Sequence, residues 1–130
     1  MDEENSIKVG RARWMTVQEC YEALGEDFND VLSRLMKPEL VKRFLLKFEK
    51  GTEFDELEKA LAEKRYEDAF RYAHNMKGVG LNLGLSKFQK SSDVLCESLR
   101  NGEPTVDIEP LIEDVRHNYR QVVEAIGKVD

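Results

Sequence analysis

An all-α fold is what this sequence predicts, and three observations carry the prediction. No stretch alternates apolar and polar residues over the length of a strand. Apolar residues instead recur three and four positions apart, within segments of roughly ten to twenty residues. Those segments are bounded by residues that start and stop helices: Thr16, Asp27 and Pro38 on the entering side, Gly25 and Gly51 on the leaving side.

Taken in order, residues 1–13 are polar and aperiodic and are expected to form a tail, with a single domain over 14–130. Thr16 is the expected cap of a short helix, "TVQECYEALG", whose Val17, Cys20, Tyr21 and Leu24 share a side. Asp27 opens a second, "DFNDVLSRLM", with Phe28, Val31, Leu32 and Leu35 together. Both are short, so the expectation is a lid or entry region packed on one end of the fold. Pro38 suits the first turn of a longer helix carrying Leu40, Val41, Phe44, Leu45 and Phe48. Thr52 is expected to cap the next, with Phe54, Leu57, Leu61 and Ala62 as its stripe.

Further patterns run from about Tyr66 to Leu83 and from Ser86 to Arg100, the latter stopped by "NGEP". The last begins near Asp107 or Glu109, with Pro110 in its first turn, and carries Leu111, Ile112, Val115, Tyr119, Val122, Val123 and Ile126. Short connections make successive helices antiparallel neighbours. The predicted architecture is therefore an antiparallel up-down four-helix bundle.

Composition agrees and narrows the partners. A chain of 130 residues that is 41% hydrophobic and 35% charged suits one soluble, helix-rich domain with its own core. Twenty Lys and Arg against 26 Asp and Glu give a net charge of −6, which argues against nucleic acid or an anionic membrane as the partner. Cys20 and Cys96 lie far apart on apolar stripes, as small core residues and free thiols of a reducing compartment would. The N-terminal residues lack the apolar core of a signal peptide, and no long apolar run follows. A cytoplasmic monomer is the expectation.

One stretch stands apart: "AHNMKGVGLNLG", residues 73–84, which spends two glycines on helical positions. At about 100° per residue, Ala69, Ala73, Met76, Gly80 and Leu83 fall on one face, as an inward seam should. His74 then lies near the boundary with solvent, with Lys77 and Gly78 as its i+3 and i+4 neighbours. Each mid-helix glycine costs about 0.5–1 kcal/mol relative to alanine. Gly80 on the seam lets two helices approach. Gly78, beside His74 on the outer side, clears space over the imidazole.

A neutral imidazole is a nucleophile near neutral pH. With a lysine beside it and an open approach, the electrophile that fits is a phosphoryl group, whose oxygens Lys77 would meet as a flexible point charge. Phosphoryl transfer asks little more of a protein than positioning and charge stabilisation.

The same stretch resembles the signature of the histidine-containing phosphotransfer (HPt) domain, roughly A-H-x-L-K-G followed by small residues and a closing glycine. His74, Lys77, Gly78 and Gly84 match it, Met76 stands where leucine is usual, and Val79 departs from the usual small residue. The upstream "LEKALAEKRYEDAFRYAH" and the downstream Leu85, Phe88, Ser92, Leu95 and Leu99 extend the likeness over about residues 38–126. It implies a four-helix bundle with an exposed acceptor histidine, His74, and Lys77 as phosphoryl stabiliser. It implies partner-docking positions at Gly78, Arg71 and Asn75. The implied partners are response-regulator receiver domains or a hybrid histidine kinase, with Mg2+ bound by the receiver and no cofactor or metal on this chain. The chain would be a phosphocarrier without its own ATP site, since it has no P-loop.

Two alternatives stay open at the level of sequence. One is an adaptor bundle that binds a receiver or kinase without phosphorylation, with Trp14 and Met15 as anchors. The other is a metal site on His74, His117, Glu113 and Asp114, disfavoured because no second histidine pairs at i+3 or i+4.

Overall fold

Each helix begins where the chain can satisfy, or offset, its free N–H groups. The computed structural model describes residues 15–129, and among them all regular secondary structure is helical. Helix α1 (Val17–Leu24) opens with a capping box: Thr16 Oγ1 accepts from the Glu19 N–H at 3.1 Å, and the Glu19 carboxylate accepts from the Thr16 N–H at 2.9 Å. Gly25 closes it in the left-handed region, at φ +71°. Helix α2 (Phe28–Leu35) is capped by the Asp27 carboxylate, which accepts from the N–H groups of Asn29 and Asp30. Helix α3 (Pro38–Lys50) carries Pro38 in its first turn.

Helix α4 (Glu53–Ala62) departs from expectation at its start. Thr52 occupies the cap position, but its side chain makes no capping hydrogen bond. Three acids in the first turn, Glu53, Asp55 and Glu56, complement the positive end of the helix instead. Its buried stripe is Phe54, Leu57 and Ala60, while Ala62 is exposed. Helices α5 (Tyr66–Asn82), α6 (Ser86–Ser98) and α7 (Glu109–Ile126) complete the fold.

Helix α5 packs against α4 on one side and α6 on the other, and α6 packs in turn against α7. Asn75, in the middle of α5, donates to the Glu53 carboxylate at the start of α4. Gly80 of α5 lies against Gln89 of α6, and Asn118 of α7 donates to the Lys87 carbonyl and the Ser91 hydroxyl near the start of α6. Arg116 of α7 reaches Glu58 of α4 at 2.5 Å and so ties the last helix to the first of this group. Aromatic rings fill the space between: Phe54 stacks on Tyr119 with centroids 4.4 Å apart, and Phe48 meets Phe88 edge-on at 5.2 Å.

The two short N-terminal helices are not a lid. Cys20, Tyr21 and Val31 are fully buried, and α1 packs against α2, α3 and α7. They seal the C-terminal end of α5, where helix geometry leaves carbonyls without partners. The Tyr21 hydroxyl donates to the Leu83 carbonyl at 2.6 Å in the interior. Arg34 donates to the carbonyls of Leu81 and Asn82 at 3.1 and 3.2 Å. At the other margin, Met15 pairs with Val129, its N–H donating to the Lys128 carbonyl at 2.7 Å. The expected tail and Trp14 lie outside the described residues.

Both cysteines are free and buried, as their apolar stripes indicated. Burial pushes the Cys20 thiol up to about 11.

Tyr21→Phe strands the buried Leu83 carbonyl while keeping the ring. Its expected cost is about 1–3 kcal/mol in urea unfolding; unchanged stability would show that the α5 end does not depend on this bond.

Candidate functional site

The middle of α5 presents two faces with opposite requirements. Ala69, Ala73, Met76 and Gly80 are buried and form the inward seam. A Cβ at Gly80 would stand 3.0 Å from the Cα and Cβ of Gln89 and 3.1 Å from its backbone nitrogen. Few real side chains sit so close, so a larger residue here would push the α6 backbone away, and glycine lets α5 and α6 meet without that shift. Leu83, just past the helix, continues the seam and is buried.

On the outward face, His74, Asn75 and Gly78 are exposed. A Cβ at Gly78 would meet nothing within 4 Å. The space beside His74 is open, and no packing demand explains glycine there.

The neighbours of His74 come from four helices. Phe70, one turn earlier, lies nearly parallel to the imidazole, with an interplanar angle of 20° and centroids 6.1 Å apart. Arg100, just beyond α6, sits over the Phe70 ring, 5.6 Å from its centroid. Lys77 is half-buried and turns toward α6, where its Nζ meets the Asp93 carboxylate at 3.1 Å. Glu53 of α4 and Arg34 of α2 border a shallow open depression that also includes His74, Asn75, Gly78 and Leu81.

Of the five site residues expected from sequence, three therefore share this depression: His74, Asn75 and Gly78. Arg71 does not. It borders a separate hollow with Phe70 and Arg100, and its guanidinium is paired with Asp68 at 2.7 Å. Hydrogen bonds from Arg65 and Arg71 hold the Asp68 carboxyl below its ordinary range. Asn75 is tied to Glu53, its Nδ2 donating at 3.1 Å.

Sequence reasoning missed Phe70, which helical spacing from His74 could have found. It also missed Arg34, Glu53 and Asp93, which only the packing of other helices brings near. Leu81 and Met36 are large apolar side chains left 63% and 75% exposed, and Leu81 lies two turns from His74 on the same side of α5.

A protein-family model described as the Hpt domain matches residues 45–126, from the second half of α3 to the end of α7. The chain belongs to the Hpt domain family. A phosphotransfer role in phosphorelays follows from that membership. No curated protein and no solved structure matches the chain.

The matched span of this Hpt domain includes the whole seam and the whole outward face just described. Among the described residues, no three His, Cys, Asp or Glu side chains gather to hold a metal ion, so the site built on His74, His117, Glu113 and Asp114 finds no geometric support. No helix among them is long and apolar enough to cross a membrane.

The two glycines predict opposite responses to the same substitution. Gly78→Ala enters open space and removes a helix penalty, so thermal unfolding should show a gain of about 0.5–1 kcal/mol. Gly80→Ala drives a methyl into the backbone of α6 and should lose about 1–3 kcal/mol. Equal responses at the two positions would contradict the division of α5 into a packed and an open face.

Proposed function

We propose that this Hpt domain is a phosphorelay intermediate whose acceptor is His74. The observation that carries the reading is the exposed imidazole beside a glycine with nothing above it, within a chain of this family. The donor would be the aspartyl phosphate of a receiver domain, alone or within a hybrid histidine kinase, and the recipient the aspartate of another response regulator. In this reading α4 to α7 act as an up-down four-helix bundle, with α1 and α2 closing one end.

The transfer itself is a displacement at phosphorus. The lone pair of an unprotonated imidazole nitrogen of His74 forms the N–P bond as the P–O bond to the aspartate breaks, and the electron pair leaves with the carboxylate. The other ring nitrogen keeps its proton until solvent or a neighbour takes it. Discharge runs the same steps in reverse. Stacking on Phe70 holds the ring plane, and Lys77 supplies positive charge to the phosphoryl oxygens. The Mg2+ that neutralises the aspartyl phosphate would belong to the receiver.

Gly78 and Asn75 would border the approach of that partner, with Leu81 as an apolar contact and Arg71 at the margin. A phosphocarrier needs no ATP site of its own, and we read the chain as a cytoplasmic monomer of that kind. An adaptor that merely bound a receiver would have no use for a nucleophile at the centre of its contact surface.

Incubation with a phosphorylated receiver domain should label the wild type in an acid-labile form and leave His74→Gln unlabelled. Equal labelling of the two proteins would remove His74 from the mechanism. Gly78→Gln tests the approach separately. It should fold normally yet accept phosphate at least about tenfold more slowly, the scale on which misplaced reacting groups act. Transfer at the normal rate would show that the open space above Gly78 is not used.

A further inference from the structure

Four cations lie on or beside the face of His74, and each has a carboxylate partner. Three of those partners belong to the cation's own helical turn: Asp30 for Arg34 at 3.0 Å, Asp68 for Arg71 at 2.7 Å, and Glu97 for Arg100. Such pairs are ordinary surface features of a helix. Lys77 differs. Its partner, Asp93, comes from α6, across the seam, at 3.1 Å.

That pair follows from the glycine contact. Gly80 fixes α5 against Gln89. Three residues back along α5 and four forward along α6, in antiparallel register, stand Lys77 and Asp93. With side chains 31% and 40% exposed, the pair contributes little to stability. Its consequence is where it holds the ammonium: toward α6, on the flank of His74.

A phosphoryl group on His74 brings close to two negative charges within reach of the same flexible stem. The ammonium must then divide its hydrogen bonds between the Asp93 carboxylate and the phosphoryl oxygens. We propose that Asp93 is a positioning residue that competes with the phosphoryl group for Lys77, and so keeps the phosphorylated form readily discharged. This rests on His74 being the acceptor. Asp93 takes no part in bond making: the N–P bond forms and breaks as described above, and only the partner of Lys77 changes.

The test uses the full chain loaded with potassium phosphoramidate, a small phosphoryl donor, and follows the acid-labile phosphoryl group by 31P NMR. Asp93→Asn should lengthen its lifetime about two- to fivefold, the scale of a half-exposed ion pair. Asp93→Glu should restore the wild-type lifetime. In a Lys77→Gln background, Asp93→Asn should change nothing, because the effect passes through Lys77. An unchanged or shortened lifetime in Asp93→Asn, or an equal lengthening without Lys77, overturns the proposal while leaving His74 as acceptor. If the wild type takes label and His74→Gln takes the same label, the acceptor assignment falls and this proposal falls with it.

Discussion

The contact of α5 with the backbone of α6 at Gly80 is the constraint on which the rest of the site depends. Without a side chain at that position the two helices close until an added Cβ would stand 3.0 Å from Gln89, tighter than most side chains accept. That closeness sets the register between them, and the register decides what faces what. Ala69, Ala73 and Met76 turn inward with Gly80, leaving His74, Asn75 and Gly78 outward on a helix that is anchored along its opposite side. The acceptor role proposed for His74 needs a backbone that does not wander, and the buried seam provides that rigidity.

The ends of α5 are secured by other means. At its C-terminus, Tyr21 and Arg34 bond the carbonyls of Leu83, Leu81 and Asn82, so the N-terminal helices contribute to the rigidity of the site helix. Across its middle, Asn75 is tied to Glu53 of α4 and Lys77 to Asp93 of α6. The polar groups around His74 are thus held by neighbours on both flanks, while the imidazole keeps an open side over Gly78. Packing fixes the platform, and charged pairs distribute the cations around it.

Much of this was legible in the sequence, because it is local. The capping box at Thr16, the Asp27 cap and the stops at Gly25 and Gly51 follow from chemistry within a few residues. The different duties of Gly78 and Gly80 follow from the helical period alone, since two residues two apart cannot share a face. What was hidden depends on contacts between distant segments. Thr52 sits at a cap position with a backbone that does not direct its hydroxyl to one. The short helices look like a lid because their length is visible in sequence, whereas the bond from Tyr21 to Leu83 joins residues 62 positions apart. Asp93 and Glu53 are ordinary surface acids until α6 and α4 bring them beside α5.

The reactivity proposed for His74 comes from its setting on α5, and a second histidine in the same chain lacks that setting. His117, on α7, is also exposed but, among the described residues, has neither a ring stacked beside it nor an open glycine one turn on. The most direct measurement is 15N NMR of protein labelled at its histidines, recorded before and after phosphoryl loading from a phosphorylated receiver domain. The expected result is an N–P bond on His74 alone, with the His117 resonances unchanged. Phosphorylation at His117, or at both rings equally, would contradict the claim.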